Sequence, residues 1–83
     1  MAFRLGERVM VSNLHESDVN IKNIRSNWSE YLARRELVLT FGVVLDILPN
    51  RIYMIKMDQY ANPIKWYELS LCSVPYDPIM NNN

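Results

Sequence analysis

The sequence predicts a mostly β fold with one helix: five strands curled into a small barrel, with a helical insertion between the first and second strands. Three observations predict it. Apolar and polar residues alternate through "ERVMVS", the period of a half-buried strand. Residues 40 to 58, "TFGVVLDILPNRIYMIKMD", hold two strand-forming apolar runs joined by a Pro-Asn break, which reads as a hairpin. Between these regions, from "LHESDVN" to "RRELV", the apolar residues recur at three- and four-residue steps instead, the period of an amphipathic helix.

Taken in order, Gly6 suits a turn, and the first strand follows it with Val9 and Val11 on one face and Met10 and Ser12 on the other, ending near Asn13. The segment 14–37 carries the helix, whose apolar positions are Ile21, Ile24, Trp28, Tyr31 and Leu32. Two starts fit it. Asp18 can cap a long version, and Asn27 a shorter one with Glu30 completing a capping-box-like pair. Glu30 and Arg34 stand at i and i+4 in the favourable order. In the hairpin, Leu48-Pro49-Asn50-Arg51 places Pro at the second turn position, where its fixed φ is an advantage. The break "DQYANP" leads to a short strand in "IKWYEL", "ELS" reads as a one-turn link, and "SLCSVP" supplies the last strand. Residues 1–76 form one domain on this reading, and 77–83 a flexible tail. Five strands on so few residues predict a barrel, since a flat sheet would leave one apolar face wet. The expected core is Val9, Val11, Val44, Ile47, Tyr53, Ile55 and Leu69.

Bulk properties narrow the function. At 83 residues, 49% hydrophobic and 22% charged, the chain is composed like a single ordinary domain with a thin core. Nine basic residues balance nine acidic ones, which argues against a dedicated phosphate-backbone binder. The lone Cys72 forms no internal disulfide, the start "MAFRLGERV" lacks the pattern of a secretion signal, and no apolar run approaches a membrane span. A cytoplasmic protein is expected.

Several stretches match one family pattern. "LGERVMV" fits a first strand of the form hydrophobic-Gly-acidic-Arg-Val-x-Val, "GVVLDI" fits Gly-x-Val-x-x-Ile, "YMIKMD" fits an apolar strand ending in Asp, and "WYELSLCSV" fits a closing x-x-Glu-Leu pattern. On these residues the chain resembles the SH3-like barrels of the KOW and translation-protein type. The resemblance implies the barrel and says nearly nothing about activity. Its departure is the segment 14–37, in the place of the first long loop. The small size, isolated domain and Asn-rich end also resemble small phage or mobile-element products.

The residues that could carry chemistry each also fit a structural role. His15, Glu16 and Asp18 stand close together but match no metal or proton-transfer motif; a solvated loop with Asp18 near a helix N-terminus is the expected role. Cys72 has no oxyanion loop beside it and only His15 as a possible base, so a small buried strand residue is expected. Lys22, Arg25, Arg34 and Arg35 surround Trp28 and Tyr31, as in base-stacking surfaces, but at 100° per residue the cations spread around the helix while the two rings share its apolar face. Met54, Tyr60, Tyr67 and Tyr76 are expected to be partly exposed.

No catalytic, cofactor or metal set emerges. The expected function is a non-enzymatic protein–protein interaction module, a phage-type modulator or inhibitor of a host factor. Its partner-binding residues are Arg25, Trp28, Tyr31, Arg34, Tyr60 and Tyr67, with Arg25 and Arg34 as exposed flanks that steer an acidic partner. Homodimerisation fits the thin core. The alternative is a KOW-like barrel associated with nucleic acid or ribonucleoprotein, which steep salt dependence would reveal.

Overall fold

The computed structural model describes residues 2–19 and 26–74. The chain runs through β1 (Arg8–Val11), α1 (Trp28–Glu36), β2 (Phe41–Leu48), β3 (Ile52–Met57), β4 (Ile64–Tyr67), a one-turn 3-10 helix (Glu68–Ser70) and β5 (Leu71–Ser73). All strand pairs are antiparallel, in the order β4-β3-β2-β1-β5. The fold is therefore mostly β with one α-helix among the described residues. Hydrogen bonding does not close the sheet: β4 and β5 are its two edges. Closure was the expectation from packing. The two edge strands are short, and on β4 the Lys65 carbonyl and the Tyr67 N–H bond to side chains, as shown below.

Local sequence explains each strand. Gly6 adopts φ +81°, and its N–H donates to the Val44 carbonyl at 2.8 Å, which swings the chain into β1 beside β2. Val9 and Val11 then face inward, as their alternation predicts. In β2 the register jumps between Val44, opposite Ile55, and Asp46, opposite Met54, so Leu45 is a bulge residue left outside the ladder. The bulge moves the inward face from even positions to odd ones. That is how Val44 is buried and Ile47, three residues on, also packs against the core. A Cβ on Gly42 would lie 2.6 Å from Ile55 Cγ2 and 2.8 Å from the Lys56 carbonyl oxygen, so this close crossing of β2 and β3 requires glycine. The hairpin turn holds Asn50 and Arg51 both at φ +64°. Asparagine tolerates that region, whereas arginine there needs support from its surroundings.

The core cluster comprises Phe3, Val9, Val11, Leu37, Val44, Tyr53, Ile55, Met57, Trp66 and Leu71. Burying each large side chain stabilises the fold by about 1.5–3 kcal/mol. Leu69, expected in this core, is instead 50% exposed. The 3-10 turn breaks the strand alternation, so that Ser70 and Leu71 face inward in its place.

Of the two expected helix starts, α1 takes the shorter. Asn27 is the N-cap, but its side chain makes no cap hydrogen bond, so the capping box does not form. The Glu30–Arg34 pair does, at 3.1 Å. Beyond the helix, Leu37 is buried, and Leu39, at φ +71°, turns the chain so that its N–H donates to the Val11 carbonyl at 2.6 Å. Ile21, Lys22, Ile24 and Arg25 lie outside the described residues, as do Tyr76 and the expected tail 77–83.

Candidate functional site

The helix places its apolar residues outward. Trp28 is 51% exposed, Leu32 is 38% exposed, Tyr31 is half-buried, and no residue of α1 is buried. Trp28 and Tyr31, three residues apart, stack with ring centroids 5.6 Å apart and planes 23° from parallel. Each ring thus restrains the other at the surface. An amphipathic helix would normally bury this face; here it does not dock by its aromatics.

Arg34 fastens the helix to the sheet instead. Its Nη1 donates to the Lys65 carbonyl of β4 at 2.7 Å, its Nε to Glu30 at 3.1 Å, and its guanidinium carbon lies 4.8 Å from the ring centroid of the fully buried Trp66. The side chain is only 15% exposed. The sequence reading treats Arg34 as an exposed flank. The structure gives it an anchoring position, because the helix C-terminal half runs past β4 and a long flat cation reaches both the strand edge and the indole face.

Asp18 does the corresponding work for the segment before the helix. It accepts a hydrogen bond from Tyr67 N–H at 2.6 Å, a short one from Ser70 Oγ, and one from its near neighbour His15 N–H at 3.4 Å. Ser70 is fully buried, so Asp18 is a staple to the β4–β5 connection rather than part of a solvated loop. His15 joins this staple: its ring lies 4.8 Å from the Tyr67 ring, and its Nδ1 accepts from Ser17 N–H at 3.0 Å. Arg34, Asp18, Ser17, Ile52, Lys65, Trp66 and Tyr67 enclose a cleft of about 160 Å³.

At the same C-terminal end of β4, next to Tyr67, Glu68 accepts from Arg51 Nε at 2.7 Å, Tyr53 hydroxyl at 2.9 Å and Ala2 N–H at 3.2 Å. Arg51's bond, and after it Tyr53's, hold the Glu68 carboxyl below the usual carboxylate range. Burial, and then the bond to Glu68, push the Tyr53 phenol above its usual value. The Arg51–Glu68 bond ties Arg51 down in its left-handed turn position and raises its pKa. A second clamp joins β1 to the end of β3: Arg8 grips Asp58 through both guanidinium nitrogens, at 2.6 and 2.5 Å.

Of the sequence-predicted partner residues, Trp28 and Tyr31 come together, Arg34 and Tyr67 meet around the cleft, Tyr60 is exposed in the β3–β4 connection, and Arg25 lies outside the described residues. Cys72 is half-buried in β5, opposite Met10. Sequence reasoning missed the staples. Asp58 and Glu68 did stand out as the acids ending "YMIKMD" and opening "ELS", and alternation could have flagged them as charges at strand ends facing Arg8 and Arg51. Among the described residues, no group of three or more His, Cys, Asp or Glu is placed to hold a metal ion, and no helix is long and apolar enough to cross a membrane. Compared with protein-family models, curated proteins and solved structures, the chain matches none of them.

Proposed function

We propose that the chain is a non-enzymatic protein-binding module, an SH3-like barrel in which segment 14–37 is a helical insertion that presents α1 to a protein partner. The observation that carries this reading is the exposed, mutually stacked Trp28–Tyr31 pair on a helix with no buried residue. A rigid aromatic pair loses little conformational entropy on binding, which is why tryptophan and tyrosine dominate binding hot spots. The antiparallel meander with a 3-10 turn before its last strand supports the SH3-like part of the reading. The small size of the domain fits a phage-type modulator of a cytoplasmic host factor. A protein fits better than a nucleic acid, because Arg34, the described basic residue chosen to flank the aromatic pair, is already engaged with Glu30, the Lys65 carbonyl and Trp66.

The test is a photo-crosslinking residue placed at Trp28 in living host cells, with the same residue at exposed Leu69 as a control. A discrete adduct with one host protein from position 28, absent from position 69, is expected. Indistinguishable adduct patterns from the two positions, or adducts with nucleic acid alone, would overturn the reading.

A further inference from the structure

The turn that leads into β1 carries an apolar surface left open among the described residues. The Gly6 N–H donates to the Val44 carbonyl at 2.8 Å, so Leu5, which precedes the donor, and Leu45, which follows the acceptor, stand side by side. Both are exposed. A single exposed leucine is ordinary on a protein surface, but two together beside a groove make a patch. The groove, of about 490 Å³, is lined by Arg4, Leu5, Gly6 and Glu7. A Cβ on Gly6 would meet no atom within 4 Å beyond its chain neighbours, so the space over the glycine is open.

β5 leaves the sheet heading for this groove. Val9 stands opposite Ser73, the Val74 N–H donates to the Arg8 carbonyl at 3.4 Å, and Ser73 Oγ donates to Glu7 at 2.8 Å. We propose that the chain's own continuation fills the groove: Tyr76 lays its ring over Gly6 and against Leu5 and Leu45, and Asp77 pairs with Arg4. In an antiparallel pair each step forward on one strand is a step back on the other, so the register carries Pro75 to Glu7 and Tyr76 to Gly6. The reach is short, since Tyr76 stands two residues beyond Val74, about 7 Å of extended chain. Pro75 and Pro78 bias the residues before them, Val74 and Asp77, toward extended backbone, which keeps the segment on that course. An aromatic side chain beside a glycine covers the backbone that the glycine leaves bare. Charge agrees with this occupant. The Glu7 oxygens accept from the Arg4 N–H at 2.9 Å and from Ser73 Oγ, while Arg4 itself is exposed at the groove, and Asp77 is the acid that follows Tyr76.

NMR on the full chain tests this. In wild type the Tyr76 ring should give nuclear Overhauser cross-peaks to the Gly6 α-protons and the Leu5 methyls. Tyr76→Leu, which stays apolar but has no ring current, should move the Gly6 α-protons and the Leu5 and Leu45 methyls downfield. Absent cross-peaks, or shifts confined to residues 74 to 78, would overturn the proposal. Arg4→Glu should weaken the cross-peaks and Arg4→Glu/Asp77→Arg restore them; cross-peaks indifferent to Arg4→Glu would overturn the pairing with Asp77. In a mixture of isotope-labelled and unlabelled chains the contacts should stay within one molecule. Contacts between labelled and unlabelled chains would make the occupant a second copy and would overturn the proposal too. Neither Trp28 nor a partner enters these readings, so this test and the crosslinking test fail independently.

Discussion

The chain's two tryptophans sit in two regions built on different physics. Trp66, in β4, is fully buried among Val9, Ile55 and the rest of the sheet's core. Trp28 opens α1 and is half in solvent, stacked on Tyr31 three residues along. The sheet is held by burial. The helix itself buries no residue: between buried Val19 and Leu37 it is held by directional links, chiefly Arg34 to Lys65 and Trp66, with Asp18 to Tyr67 and Ser70 fixing the segment before it. Polar staples fix a segment's position without covering its apolar surface, and this leaves the helix face available for contact.

If that division holds, the largest effect of a single truncation belongs to the sheet. Ile55→Ala empties a fully buried position and should cost about 2–5 kcal/mol, read as a lowered urea midpoint. Leu32→Ala on the helix should change stability by no more than about 0.5 kcal/mol. Similar costs for the two would break the comparison. Next in size comes the staple: Arg34→Ala should cost about 1–2 kcal/mol through the lost hydrogen bonds and indole contact, whereas Arg35→Ala, exposed one residue along the same helix, should stay within about 0.5 kcal/mol.

Stability against pH sharpens the view from the Glu68 cluster that follows β4. Because the Glu68 pKa is lowered from 4.5, its contribution is complete above that value and is lost as pH falls through the lower folded value. Because the Tyr53 pKa is raised from 10.0, its contribution is complete below that value and is lost as pH rises through the folded one. Denaturation midpoints should therefore fall on both the acid and the alkaline side. Glu68→Gln should flatten the acid side, and Tyr53→Phe the alkaline side. An acid limb unchanged by Glu68→Gln would show that the Glu68–Arg51 link contributes nothing measurable.

The sheet was largely legible in the sequence, and the helical segment much less so. Strand alternation places Val9, Val11, Tyr53 and Ile55 without tertiary knowledge, since their faces follow from a period of two. It fails at Leu69, where a 3-10 turn resets the phase, and strict alternation would put Val44 and Ile47 on opposite faces, which the Leu45 bulge brings together. Helical periodicity correctly groups Trp28, Tyr31 and Leu32, but a shared face does not say whether that face is covered. Arg34 shows why: its role depends on a carbonyl 31 residues away in sequence, and no local pattern carries that information.

The most direct test of the division uses the tryptophans themselves, one at a time. The Trp66 indole N–H is buried with no hydrogen-bond partner among the described residues, so Trp66→Phe removes the core fluorophore without breaking a bond. Iodide quenching is then compared between Trp66→Phe, which reports on Trp28, and Trp28→Phe, which reports on Trp66. Trp28 should emit at longer wavelength and be quenched several-fold more strongly than Trp66. Equal shielding of the two would mean that the helix face is covered in the free protein and that α1 does not present it for binding.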